Sequence, residues 1–548
     1  MNFLNLRKEE KVKRILMLMM CVALCILICI GCGSKEAQSD STRVVCKNGI
    51  MIGQEENNVV SFLGVPYAQQ PVGDLRWKAP VAAEASDEEI ICNEFGKTAI
   101  QYEWQTEAAS YSEKGEDCLS LNIWTADGEV KDKPVMVFIH GGGYSWGGTT
   151  DPIYNGQNFV EANPDTVLVT VNYRLGIMAW ADFTQIPGGE EYTDFNLGIR
   201  DQICALEWVQ ENIESFGGNP DNVTIFGESA GGASVSILVA SPAAEGLFQK
   251  AIIQSGSAVY QGNYLRPERE DAQEFAAVMA ETAGCDNMEE MLEITGEEWM
   301  ELDSEYWLGD ESPGPFVDGE IVPENYIESM ENAAKRGVDL MIGYNADENF
   351  YQTEEYEGKD KKQQWKDGLE EFWEETYKNT DDEGRALLDS YMDIQKGQDK
   401  EEAFGISQFV TEKVGYCAFE WAENYAKAGG NVYMYYWDVP STSDKYYKKA
   451  CHAVELSYVF NNLEETIYSG KNPDKETAVR AQEAWTAFAK DGNPSTEYVK
   501  WPAYDNETRQ VMVIELESWE AQKDILKEQR GIFKEFIENH IGNSREII

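Results

Sequence analysis

The segment Ile225-Phe226-Gly227-Glu228-Ser229-Ala230-Gly231-Gly232-Ala233-Ser234 sets one serine between two glycines, directly after an apolar run. Gly-x-Ser-x-Gly between a strand and a helix forms a sharp turn, and its small flanking residues let the serine hydroxyl project into the open. In a chain of 548 residues the pattern alone carries real false-positive risk, so its surroundings must decide what it means. Val223 to Phe226, just upstream, reads as a short strand. Val135 to Ile139, Val167 to Val171, Ala251 to Ile253, Leu340 to Ile342 and Val432 to Tyr436 share its nearly continuous apolar character, as parallel strands covered on both faces do. Between the second and third of these, Asn196 to Phe216 carries Ile199, Ile203, Leu206, Val209 and Ile213 on one helix face.

Strand-like and helix-like segments alternate from about residue 59, which predicts an α/β fold with a mostly parallel central sheet flanked by helices. No internal repeat or Pro- and Gly-rich linker interrupts it, so a single domain over residues 46–548 is expected. Gln352 to Lys400 sets Trp365, Phe372 and Trp373 among dense charge and predicts a helical cap over the sheet. Val511 to Ile514 is expected to add an edge strand, and Ala521 to His540 a closing amphipathic helix.

The chain is 43% hydrophobic and 11% aromatic, enough to bury a large core. Its 45 basic residues face 98 acidic ones, for a net charge of −53. Such a surface repels nucleic-acid phosphates and anionic lipid alike, so no nucleic-acid partner is expected. Residues 1–31 differ from the rest. Arg7, Lys8, Lys11, Lys13 and Arg14 precede an unbroken apolar run from Ile15 to Ile30. That run is shorter than the about 20 residues of a spanning helix and reads as a signal peptide for export. It ends in Cys29-Ile30-Gly31-Cys32 and resembles a bacterial lipoprotein signal, in which Cys32 would be lipidated and residues 32–45 would tether the protein to the extracytoplasmic face of the cell membrane. Otherwise the protein would be secreted, and membrane contact is expected only through that anchor. Eleven cysteines include four in the signal; among the other seven no metal-ligand spacing occurs, so no metal site is expected and buried thiols are.

A serine hydroxyl needs a neighbouring base, usually a histidine oriented by a carboxylate. The chain holds three histidines. His540 lies near the C-terminus and suits a surface role. His140 closes the strand Val135 to Ile139 and opens the turn His140-Gly141-Gly142-Gly143. His452, in Lys448-Lys449-Ala450-Cys451-His452-Ala453-Val454-Glu455, follows a loop and begins a helix, which leaves it as the base. The glycines after His140 allow backbone N–H groups to approach a developing oxyanion, together with the N–H of Ala230 after the serine. The acid should lie between serine and histidine and follow a strand. Asp347 and Glu348 both satisfy that condition, and the residues alone do not choose between them.

With these motifs in place, the chain resembles the type-B carboxylesterase family of the α/β-hydrolase fold. The likeness runs through "FLGVPYAQQPVGDLRWKAP", "EDCLSLNIW", "HGGGYSWGG", "VNYRLG", "ESFGGNPDNVTIFGESAGG", "PFVDGEIVP", "IGYNADENF" and "HAVELSYVF". The resemblance implies a serine hydrolase of small to medium carboxylic esters that needs no cofactor and works through an acyl-enzyme. It implies a triad of Ser229, Glu348 and His452, oxyanion donors at Gly142, Gly143 and Ala230, and a nearby carboxylate from Glu228. Two positions depart from the family pattern. Asn349 stands where the family has Gly, and Ala99 stands where the partner of Cys118 would be, which leaves Cys92 as its only nearby alternative. A catalytically silent binding protein on the same fold would lack a member of the triad; an amidase or peptidase would share all of it.

Overall fold

The structure, a computed structural model, describes residues 40–101, 113–128, 131–257, 268–306, 308–309, 312–349, 361–397, 402–443, 449–464 and 466–540. The signal segment and Cys32 lie outside them. Fourteen strands are formed among the described residues: β1 (Arg43–Cys46), β2 (Gly49–Ile52), β3 (Gln54–Glu56), β4 (Val59–Pro66), β5 (Glu89–Ile91), β6 (Ser120–Ala126), β7 (Lys133–Ile139), β8 (Val167–Val171), β9 (Gly218–Glu228), β10 (Lys250–Gln254), β11 (Asp339–Asn345), β12 (Val432–Trp437), β13 (Gln510–Ile514) and β14 (Trp519–Lys523). A small sheet is ordered β1-β2-β5. The large one is ordered β14-β13-β12-β11-β10-β9-β7-β8-β6-β4-β3.

From β13 across to β8 every pairing is parallel, and both flanks are antiparallel. The expected mostly parallel sheet is therefore present. Its strands are apolar on both faces because both are covered. Val135, Val137 and Ile139 of β7 enter one core with Ile225, Ile253 and Ile342, while the intervening Met136 and Phe138 enter another with Phe226, Ile252 and Met341. The helix Leu197–Asn212 lays Ile199, Ile203, Leu206 and Val209 on the first face, and Lys475–Asp491 lays Ala481, Trp485 and Phe488 on the second.

Two expectations change. Ala521 to Lys523 belong to β14, which pairs antiparallel with β13, so Val511 to Ile514 is not the edge. The closing helix spans Lys527–Asn539. Alternation explains the change: Trp519 and Ala521 pack against the second core while Glu520 and Gln522 point away. The antiparallel strands β4 and β6 escaped the apolar-run criterion because β6 carries Ser120, Asn122 and Thr125 inward, with Asn122 donating to Thr149 and Thr170 at 2.9 and 3.0 Å. In the cap region, the helix Lys361–Asn379 packs Trp365, Phe372 and Trp373 against the first core, and Asp382–Gly397 packs Leu388, Tyr391 and Met392 into it.

The loop after β8 is pinned by a buried ion pair. Arg174 donates to both oxygens of Asp201, at 2.8 and 2.6 Å, and its backbone N–H also donates to Asp201. Both side chains are almost wholly buried. Removing one partner strands the other charge in the core, which costs about 3–5 kcal/mol. Asp201→Asn is expected to lower unfolding stability by about that amount, read as a fall in the urea midpoint at unchanged slope; a midpoint equal to the parent's would contradict this role.

Candidate active site

Strand β9 ends at Glu228 and the helix Ala230–Ala240 starts one residue later, so Ser229 alone makes the turn. It does so at φ 57° and ψ −125°, a conformation that costs a non-glycine residue on the order of 1–3 kcal/mol. The strain persists because the turn is anchored: the Ser229 N–H donates to the Gln254 carbonyl at 3.0 Å and its carbonyl accepts from Ala233 at 2.9 Å. Gly231 lets the new helix touch the sheet, since a Cβ there would lie 2.0 Å from the Ile139 carbonyl oxygen. The glycine on that side of the serine therefore serves a close approach between helix and sheet. Ser229 itself is only partly buried and faces a cleft.

His452 lies in a turn. The helix expected to start there begins only at Leu456, and Ala453 takes a left-handed φ of 64° that ends the loop. Two strips of chain hold the imidazole: Asp347 N–H donates to the Ala450 carbonyl at 2.9 Å, and His452 N–H to the Glu348 carbonyl at 3.3 Å. Its Nδ1 is 2.5 Å from Glu348 Oε2. Asp347 turns away, accepting from Gln408 at 3.0 Å and from the Ala450 N–H at 3.3 Å. Of the two candidate acids, Glu348 is thus the one against the ring. Asn349 has no left-handed φ, so this turn does not use the backbone freedom a glycine would bring.

The far ring nitrogen, Nε2, sits 3.1 Å from Glu228 Oε1. The approach is not aligned as a hydrogen bond, and Oε1 has no hydrogen-bond partner among the described residues. No hydrogen bond joins His452 to the Ser229 hydroxyl in this structure, although such bonds are often long in ligand-free sites. Burial pushes the Glu228 carboxyl above its ordinary range, with Glu455 and Glu348 adding repulsion and His452 opposing. Burial alone would push His452 down, but the charges of Glu228 and Glu348 raise it. The imidazolium of His452 is therefore stabilised by the carboxylates packed around it. Glu455, fully buried, was not foreseen: it accepts from Gln254 at 3.0 Å and from Asn345 at 2.7 Å. Its signal was present as a lone acid in the apolar run Ala453-Val454-Glu455-Leu456, three residues after the histidine.

The His140 turn passes directly over this group. A Cβ on Gly141 would stand 3.0 Å from Ser229 Cβ and 3.1 Å from Glu228 Oε2. Gly142 and Gly143 take φ of 111° and 60°. Gly143 and Ala230 line the same cleft of ≈ 330 Å³ as Ser229, and Gly142 precedes Gly143 in the turn. The Ala230 N–H is at the helix start, where the dipole favours negative charge. His140 itself is structural: it stacks on Tyr173 at 4.5 Å and is buried, which pushes it down to about 4. His540 pairs with Asp381 at 3.0 Å, away from the cleft. Tyr144 lines the cleft, while Phe316 is fully buried in the interior. Cys92 and Cys118 are separate buried thiols, and five of the seven described cysteines are buried. Among the described residues no group of His, Cys, Asp and Glu is arranged to hold a metal ion.

The model of the "Carboxylesterase family" matches residues 40–533. The para-nitrobenzyl esterase of Bacillus subtilis strain 168 is 33% identical over 491 residues, covering 86% of this chain and 95% of that protein. The acetylcholinesterase of Bungarus fasciatus is 28% identical over 521 residues, covering 89% and 84%. Among solved structures, a Geobacillus stearothermophilus carboxylesterase at pH 6.2 superposes with a TM-score of 0.77 at 30% identity, over 90% of this chain and 100% of that one. A thermophilic para-nitrobenzyl esterase gives a TM-score of 0.75 at 31% identity over the same shares.

With three histidines in the chain, nitrogen-labelled imidazole signals can be assigned one by one. Glu228→Gln removes a charge that favours the imidazolium, so the His452 titration should fall toward the ordinary histidine range while His140 stays neutral down to about 4. An unmoved His452 titration would remove Glu228 from the electrostatics of the site.

Proposed function

Since the chain belongs to the carboxylesterase family and hydrolyses carboxylic esters, we propose that the acyl group passes through Ser229, with His452 as general base and acid and Glu348 as its orienting carboxylate. The observation that carries this reading is the 2.5 Å contact between His452 Nδ1 and Glu348 beside a serine held in a strained turn. Glu348 keeps the proton on Nδ1, leaving Nε2 as the acceptor. When ester enters, Nε2 exchanges its Glu228 contact for the Ser229 hydroxyl. The hydroxyl oxygen bonds to the ester carbon as its proton passes to Nε2. The carbonyl oxygen, now negative, rests on the N–H groups of Gly142, Gly143 and Ala230. The imidazolium returns the proton to the departing alcohol, leaving an acyl-serine. Water then repeats the sequence and releases the acid.

Glu228 stabilises the imidazolium in both steps, and it sets a cost as well. His452 must lose its proton before it can act as base, so the acidic limb of kcat/KM should lie above the ordinary histidine value. The cleft of ≈ 330 Å³ suits small to medium esters. Export with a lipid on Cys32 is supported by the basic, then apolar, order of residues 7–30 and by the Gly31-Cys32 junction.

Turnover of para-nitrophenyl acetate, butyrate and octanoate should fall on the order of 10⁴-fold or more in Ser229→Ala, which retains only binding and oxyanion effects. A folded Ser229→Ala variant with parent-like rates would refute the assignment. For localisation, full-length protein made in a bacterial host should partition with membranes and leave them in Cys32→Ala; equal partition of both proteins argues against the lipid anchor.

A further inference from the structure

The small sheet β1-β2-β5 is apolar on both faces. Its strands read Arg43-Val44-Val45-Cys46, Gly49-Ile50-Met51-Ile52 and Glu89-Ile90-Ile91. The register sets Val45 opposite Ile50, Arg43 opposite Ile52, and Ile91 beside Ile52. Paired residues share a face, so Val45, Ile50, Ile52 and Ile91 point one way and Val44, Cys46, Met51 and Ile90 the other. The second set packs on the first core. The first set joins no core: Val45 is 62% exposed and Ile91 63%, with Ile50 and Ile52 partly buried between them. A sheet with one face in water ordinarily turns polar residues outward. Here the outward polar contribution is the Arg43–Glu89 ion pair at 3.2 Å, at the margin of the aliphatic group.

Chain length decides what can cover this face. β1 begins at Arg43, eleven residues after Cys32. Whatever its conformation, that length of chain spans at most about 40 Å. A domain of about 500 residues is about 60 Å across, so a lipid on Cys32 keeps the β1 side toward the bilayer and the opposite pole out of its reach. The β1 side is also the end where the parallel strands start. Lys47 donates its backbone N–H to Asn212 at 3.0 Å, shortly before β9, and Arg43 and Val45 share a hollow with Gly217 and with Lys133, the first residue of β7. Ser229 follows the far end of β9, whose 11 residues span about 36 Å.

We propose that the outward face of β1-β2-β5 rests on the surface of a lipid bilayer and turns the Ser229 cleft toward the aqueous side. The proposal rests on Cys32 as the lipid anchor. Four aliphatic side chains bind a bilayer weakly by themselves, but an anchor on the same chain makes the contact intramolecular, and firm attachment of a lipidated protein usually takes a second signal. Asp87, Glu88 and Glu89 adjoin or begin β5, and the chain carries a net charge of −53. The contact is therefore apolar rather than electrostatic, and a zwitterionic surface suits it. A second copy of the chain is the rival occupant. A stable dimer buries about 800 Å² on each partner, far more than four aliphatic side chains offer. With this face on the bilayer, esters reach Ser229 from water.

The test reconstitutes the full-length protein into phosphatidylcholine vesicles and reads side-chain oxidation by hydroxyl radicals, peptide by peptide, against the soluble form from residue 33 onward. Oxidation of Val45 and Ile91 should fall several-fold on vesicles and stay low as sodium chloride is added. Leu516 is 48% exposed just past the parallel strand β13, at the Ser229 end, and should keep its rate. A variant carrying Val45→Glu and Ile91→Glu should hydrolyse para-nitrophenyl butyrate as the parent does, while Ile50 and Ile52 are oxidised equally on vesicles and in solution. Equal oxidation of Val45 and Ile91 in both settings, with lipid mass present on the Cys32 peptide, overturns the proposal and leaves the anchor standing. Protection of Leu516 in their place does the same. Protection in the soluble form that grows with protein concentration assigns the face to a second copy and also overturns it. Absence of lipid mass from the Cys32 peptide removes the anchor and this proposal with it.

Discussion

One turn governs the site. Ser229 must leave a central strand, expose its hydroxyl and start a helix within a single residue, which forces φ to 57° and ψ to −125°. The turn survives because strand, helix and the neighbouring strand over-determine it. Its backbone groups are spent on Gln254 and Ala233, and Gly231 brings the helix within contact of β7. The parallel sheet supplies the geometry that makes the turn useful: β9 pairs with both β7 and β10, so the His140 turn and Ser255 arrive on either side of the serine at the same ends of their strands. The acidic loop after β11 and the His452 turn then meet there, zipped together by two backbone hydrogen bonds.

The electrostatics follow from the crowding this creates. Glu228, Glu348 and Glu455 are all buried around one imidazole, and buried carboxylates need compensating partners. The cluster resolves the conflict by division of labour. Glu455 is held by the amides of Gln254 and Asn345. Glu348 takes Nδ1. Glu228 is left facing Nε2 with one oxygen unpartnered, and burial raises its carboxyl above the ordinary range. This arrangement favours the imidazolium, the form His452 takes while charge develops on the carbonyl oxygen. The same bias makes the resting base harder to free of its proton.

Much of this was legible in the sequence, for identifiable reasons. Strands buried on both faces write continuous apolar runs, so β7, β8, β9, β10, β11 and β12 could be read within a few residues. The Gly-x-Ser-x-Gly and His-Gly-Gly-Gly turns are visible because close backbone approach excludes side chains. Antiparallel β4 and β6 were not visible, since β6 buries Ser120 and Asn122, the latter bonded to Gly64, Thr149 and Thr170 inside the sheet, and these polar residues break the apolar run. Ala521 to Lys523, the second half of the alternating strand Trp519–Lys523, run straight into a helical pattern, so the sequence reads Ala521 to His540 as one helix. Asp347 and Glu348 could not be separated by residue type, because both follow β11; only the path of the chain to Ala450 and Gln408 turns one toward the ring and the other away. Glu455 lacked any motif, and its significance lies in burial, which a sequence does not record residue by residue.

The central claim is that ester carbon becomes bonded to the Ser229 oxygen. The most direct measurement is intact-protein mass spectrometry after rapid acid quench of the reaction with a slowly deacylating para-nitrophenyl ester, followed by peptide mapping. The account predicts one acyl mass per chain, confined to the peptide containing Ser229. Burst-like release of nitrophenol with the acyl group on another residue, or steady turnover with no acyl-protein at any quench time, would contradict it.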